Sequence, residues 1–323
     1  MLLAKYVARG ARMLTREVAR INAIESSGLG VTFGATSALQ DCTLAIPTGR
    51  IVALVGSNGA GKTTLLHCLV GLCRPTAGKI EVLGGIAPGS VLARERIAFV
   101  AQDAPLYHHL SARSMISLTG KLNAQFDEQE AVSRLRSLDI PIDRRVGRLS
   151  GGQQAQLALT MALARHPELL VLDEPLARLD PVARHDIMES IISLVAKGGL
   201  SVVFSSHVVS ELEHVADYLI LLVNGRVQLA DDIHRLLDEH VVISVPSERV
   251  DEIAQRFPVV VIQRSSHDTR LLVRVIGPPE LQIDVERIEV TLDELVLGYL
   301  RNPVADLAGS DVIAESNDSE SST

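Results

Sequence analysis

Residues 51–64 read Ile51-Val52-Ala53-Leu54-Val55-Gly56-Ser57-Asn58-Gly59-Ala60-Gly61-Lys62-Thr63-Thr64, and this stretch decides how the rest of the chain is read. The unbroken apolar run Ile51–Val55 predicts a strand buried on both faces. Gly56 to Thr63 fit GxxxxGK[ST], and a helix is expected directly after the loop, over residues 62–72. Glycines at 56, 59 and 61 let backbone N–H groups curl into an anion nest, and the helix N-terminus adds a dipole that favours phosphate. In that setting Lys62 reaches the β- and γ-phosphates of a nucleotide and the Thr63 hydroxyl ligates Mg²⁺, with Thr64 the last residue of the phosphate-binding set. A chance match is on the order of one in a hundred for a chain of this length, before the strand and helix are demanded.

Outward from this loop, strands and helices alternate from Gly28 to about Gly225. Residues 97–100, 169–172, 201–205 and 219–223 are strand-like apolar runs, with helices over 153–165 and 181–196. Such alternation predicts a parallel sheet covered on both faces. Residues 29–33, 40–46 and 79–83 predict an additional antiparallel flank. After residue 230 the pattern becomes a small α+β appendage reaching residue 303. Its expected strands are 241–245, 259–264 and 270–275, and its helices are 247–256, capped by Ser247, and 291–300, capped by Thr291 with Glu294 closing a capping box.

The two ends differ. Residues 1–22 place Lys5, Arg9, Arg12, Arg16 and Arg20 within about 80° of one another on a helix, with Glu17 as the single acid. This basic amphipathic segment reads either as a helix lying on an anionic membrane or, preferably, as a solvated extension with Met13 as an alternative start. Residues 304–323 carry acids and serines without a basic residue, the composition of a disordered tail. The expected division is therefore 1–22, 23–230, 231–303 and 304–323.

Composition narrows the function. The 323 residues are 47% apolar and 22% charged, which excludes wholesale disorder. A net charge of −8, aromatics at 3% and no Trp argue against a nucleic-acid partner. No uncharged apolar run approaches the roughly 18 residues of a membrane span. Cys42, Cys68 and Cys73 form no CxxC pair and read as reduced thiols of a cytosolic protein.

Two further stretches complete a possible site. Leu169-Leu170-Val171-Leu172-Asp173-Glu174 is an apolar strand ending in two acids. It delivers Asp173 to the sheet edge as a Mg²⁺ holder and points Glu174 toward the γ-phosphate as a base for the attacking water. Alone, the pair would be read as acids capping a turn; the phosphate loop changes that. Leu149-Ser150-Gly151-Gly152-Gln153 opens a helix with free N–H groups, a second anion site. Either the chain binds two anions, or one nucleotide is gripped by both sites in different subunits.

Taken in order, these motifs resemble the nucleotide-binding subunit of ABC transporters over roughly residues 28–230. The series is the phosphate loop, Gln102 in Phe99-Val100-Ala101-Gln102-Asp103, the signature at 149–153, the acidic strand, Leu179-Asp180 and His207. The resemblance implies an α/β P-loop NTPase cassette with a parallel-sheet core, an antiparallel β flank and a helical signature subdomain. It implies a homodimer in which each ATP lies between one subunit's phosphate loop and the other's Ser150, Gly151, Gly152 and Gln153. Phe33, 29 residues before Lys62, takes the place of the family's adenine-stacking aromatic. By the same resemblance Gln102 contacts Mg²⁺ and the water, His207 holds the γ-phosphate and Glu174, and Asp180 crosses the dimer seam. Arg178 at the seam, Gln154-Ala155-Gln156 without basic residues, and Ser57 in place of a frequent proline depart from the family pattern, but none removes a catalytic group.

The resemblance also implies a separate integral-membrane permease that docks around Gln102 and residues 110–121, holding the chain at the inner face of the cell membrane. The segment to residue 303, ending in Thr291-Leu292-Asp293-Glu294-Leu295, resembles the short extension of drug- and antibiotic-export ATPases of the ABC-2 type. The rival reading is a non-transport ABC ATPase that regulates or protects through a soluble partner. A GTPase is excluded because no asparagine is followed by lysine. The 88 positions from Lys62 to Ser150 leave no room for the coiled coil of DNA-repair relatives.

Overall fold

The computed structural model describes residues 21–103, 105–177, 179–209, 212–213, 215–264, 268–275 and 286–303. The basic stretch to residue 20, Arg178 and the tail from residue 304 lie outside them. The described residues begin with β1 (Asn22–Phe33), β2 (Thr36–Pro47) and β3 (Ile51–Val55), then α1 (Lys62–Leu69), β4 (Ala77–Val82), α2 (Val91–Arg96) and β5 (Ile97–Val100). Next come α3 (Ala112–Leu122), α4 (Glu128–Ser137), α5 (Gly151–Leu163), β6 (Leu169–Leu172), α6 (Pro181–Ala196), β7 (Ser201–Ser206), β8 (Tyr218–Val223) and β9 (Arg226–Asp232). The appendage follows as α7 (Ile233–Asp238), β10 (His240–Val245), α8 (Val250–Arg256), β11 (Val259–Arg264), β12 (Thr269–Arg274), β13 (Glu286–Ile288) and α9 (Leu292–Arg301).

The main sheet has six strands in the order β5-β6-β7-β3-β8-β9. The first five run parallel, and only β9 is antiparallel. All five residues of β3 are buried, and their alternation sorts them between two cores. Ile51, Ala53 and Val55 face a core shared with α5, α6 and the appendage; Val52 and Leu54 face one shared with α1 and the flank. That flank is the antiparallel sheet β2-β1-β4. A third core gathers Met115, Ile116, Ala131, Leu135 and Leu157, packing α3 and α4 against α5.

Where structure and expectation differ, local chemistry explains it. Helix α1 stops at Leu69 rather than at residue 72 because Gly71, at φ 77, donates to Cys68 O while Leu72 donates to His67 O. This left-handed C-terminal turn favours glycine. The Ser247 cap is not formed. Pro246 precedes a single 3₁₀ turn, α8 starts only at Val250, and the Ser247 hydroxyl lies 3.1 Å from that of Thr269. The Thr291–Glu294 capping box is present as expected. Strand β9 runs through the 230/231 boundary, and β13 joins the appendage sheet beyond the three expected strands. The expected extension ends inside β1, which begins at Asn22.

The appendage is joined to the cassette by apolar packing: Leu292, Leu295, Val296 and Tyr299 share a core with Leu219 and Leu221. Within that joint His240 is buried, with Nδ1 2.6 Å from Leu236 O and Nε2 2.9 Å from the Tyr299 hydroxyl. Nδ1–H therefore donates and Nε2 accepts, so the neutral ring satisfies both. Burial is the main cause that pushes the His240 pKa below its ordinary value. The unfolded chain then binds a proton more readily, so this contribution to stability is intact above about pH 6.5 and erodes as the pH falls below it. Thermal unfolding between pH 7 and pH 5 should show the midpoint falling more gently in His240→Leu than in the parent chain. Equal slopes would remove His240 as the cause.

Candidate nucleotide site

The parallel strands end together, and their C-terminal ends carry the site, as in other open α/β sheets. Strand β3 leads into the loop 56–61, β5 into Gln102, β6 into Asp173 and Glu174, and β7 into His207. Because β7 lies between β6 and β3, the two acids face the loop across one intervening strand. The loop needs its glycines. A Cβ at Gly56 would lie 2.3 Å from Leu222 O, and one at Gly61, at φ +104, 2.5 Å from Ala38 O.

Within the loop Lys62 is only 6% exposed, and its Nζ donates to Gly56 O at 2.7 Å and Ser57 O at 3.2 Å. Nζ also lies 3.9 Å from Glu174 Oε1. Desolvation lowers the Lys62 pKa against the pull of Glu174 and Asp173. A buried cation with a donor to spare suits a phosphate oxygen.

Asp173 is 3% exposed and has no Lys or Arg ion pair among the described residues. Its Oδ2 accepts from the Thr63 hydroxyl at 2.9 Å and its Oδ1 from the Ser205 hydroxyl at 2.7 Å. A buried carboxylate beside a hydroxyl, without a cation of its own, is the hard oxygen set that Mg²⁺ prefers. Glu174 sits at φ 44, a left-handed conformation costing about 1–2 kcal/mol for a residue with a Cβ. Its N–H donates to Ser205 Oγ at 2.7 Å, and its Oε2 lies 3.3 Å from His207 Nδ1. Ser205 thus bridges both acids. Sequence reading passed over it as part of a strand, and only the hydroxyl inside an apolar run marked it.

The other expected residues are separate from this cluster. Phe33 ends β1 with its ring 58% exposed, and Gln102 lies exposed two residues after β5. Ser150 caps α5 in a reciprocal capping box with Gln153. Asp180 caps α6, accepting from Val182 N and Ala183 N, and its carboxylate borders Gly152. Asn58, Gly59, Ala60 and Gly151 occupy the two turns as expected.

Comparison with known proteins decides the family. The family model described as ABC transporter matches residues 39–177. The Nod factor export ATP-binding protein I of Rhizobium johnstonii is 35% identical over 225 residues, spanning 68% of this chain and 72% of that protein. The chain belongs to the ABC transporter family. As an ATP-binding cassette of that family it is an ATPase coupled to transport. The sulfate/thiosulfate import ATP-binding protein CysA of Synechococcus elongatus is 31% identical over 286 residues, covering 84% of the cassette chain and 78% of the relative. A solved ATP-binding subunit of an ABC transporter superposes with a TM-score of 0.60 at 28% identity, covering 67% of this chain and 92% of that one. Among the described residues no helix of the cassette is long and apolar enough to cross a membrane.

Proposed function

We propose that two copies of the cassette clasp ATP between the loop of one and Ser150–Gln153 of the other, and that hydrolysis drives export through a separate membrane permease. The cluster Lys62, Asp173, Glu174, Ser205 and His207 is the observation that carries the reading. Phe33 offers an open ring for adenine to stack on. Thr63 and Asp173, with Gln102 brought in from its exposed loop, would hold Mg²⁺, which would neutralise phosphate charge.

On arrival of the nucleotide, Lys62 exchanges Glu174 for phosphate oxygens, releasing that carboxylate to act as a base. A water beside Glu174 attacks the terminal phosphorus in line, its proton passes to the Glu174 carboxylate, and the bond to the bridging oxygen breaks, leaving ADP and phosphate. His207 steadies Glu174 from the opposite side. The exposed N-terminus of α5, closed only by its own Ser150–Gln153 box, supplies N–H groups to the partner's nucleotide.

Export rather than import is favoured by the appendage, which among the described residues is an open four-stranded sheet instead of a closed regulatory barrel. The exposed side chains of Tyr107, between Gln102 and α3, and of Leu122, at the end of α3, offer apolar surface to a permease helix. Co-expression with a six-span permease encoded beside the chain should give a membrane-bound complex whose ATPase is lost in Lys62→Ala. Purification as an active enzyme with a soluble partner instead would overturn the transport role, and ATP-driven uptake would overturn export.

Ser205 is proposed as a positioning residue. Ser205→Ala removes the hydrogen bond to the Asp173 carboxylate and the one from the Glu174 N–H, so turnover should drop roughly ten-fold or more with KM unchanged. Restoration by Ser205→Thr would separate this from a general loss of packing. Wild-type turnover in the alanine variant would rule the role out.

A further inference from the structure

Cysteines that show no redox motif in the sequence are brought together at the end of α1. Cys42 and Cys68 are buried in the core between α1 and the flank, and Cys73, half-buried, packs against it. Cys68 lies in the last turn of α1, and Cys73 follows the left-handed turn at Gly71. That turn folds the chain back on the helix: the N–H groups of Leu72 and Cys73 both donate to His67 O, at 2.9 and 3.1 Å. The turn is also pinned from outside, because a Cβ at Gly71 would lie 2.3 Å from Gly89 N. As a result the thiols of Cys68 and Cys73 are in hydrogen-bonding contact. Cys42 is engaged elsewhere, its thiol donating to Gly225 O at 3.2 Å.

The two sulfurs differ in access. Cys73 Sγ makes only an exposed contact, 3.8 Å from Arg74 O, whereas Cys68 has no exposed surface. Burial, reinforced by Cys73, pushes the Cys68 pKa up to about 12, so this sulfur keeps its proton in the resting chain. An accessible cysteine held against a second, resolving cysteine is the arrangement of thiols that respond to oxidants. We propose that Cys73 and Cys68 are a peroxide-reactive pair that closes to a reversible disulfide. The Cys73 sulfur, as thiolate, attacks one oxygen of hydrogen peroxide; the O–O bond breaks, and hydroxide leaves and becomes water. The Cys68 sulfur then attacks the sulfenic sulfur of Cys73, the S–O bond breaks, and the departing hydroxide takes the Cys68 proton. Two thiols and one peroxide give one disulfide and two waters. The bond would fasten the end of the helix whose first residues are Lys62 and Thr63. This inference is independent of the transport reading, since it requires neither a permease nor hydrolysis.

The test exposes the reduced full chain to a small excess of hydrogen peroxide, blocks the remaining thiols with iodoacetamide in denaturant and weighs the tryptic fragments. Both cysteines fall in fragment 63–79, because Pro75 protects the bond after Arg74, and Cys42 falls in fragment 21–50. We expect fragment 63–79 to lose two hydrogens and escape alkylation, dithiothreitol to restore both thiols, and fragment 21–50 to remain alkylated. Cys73→Ser should prevent the disulfide and slow thiol loss about ten-fold or more. Cys68→Ser should halt Cys73 at the sulfenic acid, which dimedone traps. Should the buried Cys68→Ser variant not fold, the half-buried Cys73→Ser variant still decides the matter. Equal thiol loss in Cys73→Ser and the parent overturns the proposal. So do oxygen gain in fragment 63–79 without a disulfide, a cross-link from Cys42 or between chains in its place, and the absence of any reaction.

Discussion

Glu174→Gln is expected to bind ATP as the parent chain does and to hydrolyse it at least about 10²-fold more slowly. The amide retains the size and hydrogen-bonding reach of the carboxylate but cannot take the proton of the attacking water. Thr63, Asp173 and Lys62 are untouched, so the phosphate and metal contacts survive. Glu174 reaches its position through a left-handed backbone, an N–H anchored on Ser205 and a side chain between Lys62 and His207. Removing the Lys62–Glu174 attraction also removes a competitor for phosphate, so the ATP dissociation constant should stay equal or become smaller. Single-turnover hydrolysis together with equilibrium nucleotide binding measures both quantities. Turnover at the parent rate would show that another group is the base.

Ser150→Arg should abolish ATP-dependent dimerisation while leaving nucleotide binding to the single chain unchanged. Ser150 accepts the Gln153 N–H and is exposed, so the substitution breaks a cap worth about 1 kcal/mol without disturbing a core. The decisive effect is steric and electrostatic: a long cation fills the helix mouth that the partner's triphosphate must enter, and it stands against the positive end of the helix dipole. Light scattering with ATP in the Glu174→Gln background, where slowed hydrolysis should prolong the dimer, reads the result. If the double variant still dimerises, the turn is not part of the interface. If it fails to bind ATP at all, both phosphate-gripping turns serve one nucleotide within a single chain.

The order of motifs along the sequence was sufficient for the family and the parallel core, because each motif states its own local geometry. A glycine loop between a buried strand and a helix has few conformations open to it, and an apolar strand ending in acids can only present them at a sheet edge. The sequence was also sufficient for the Thr291 capping box, in which both partners lie within one turn. What spacing could not provide was the neighbourhood across strands. Ser205 joins Asp173 and Glu174 only because β7 inserts between β6 and β3, an order set by the packing of helices on both faces and invisible along the chain. The failed Ser247 cap and the His240–Tyr299 joint belong to the same class. Each depends on which distant residue arrives beside a polar group, and burial, a property of the whole fold, decides whether that group finds a partner.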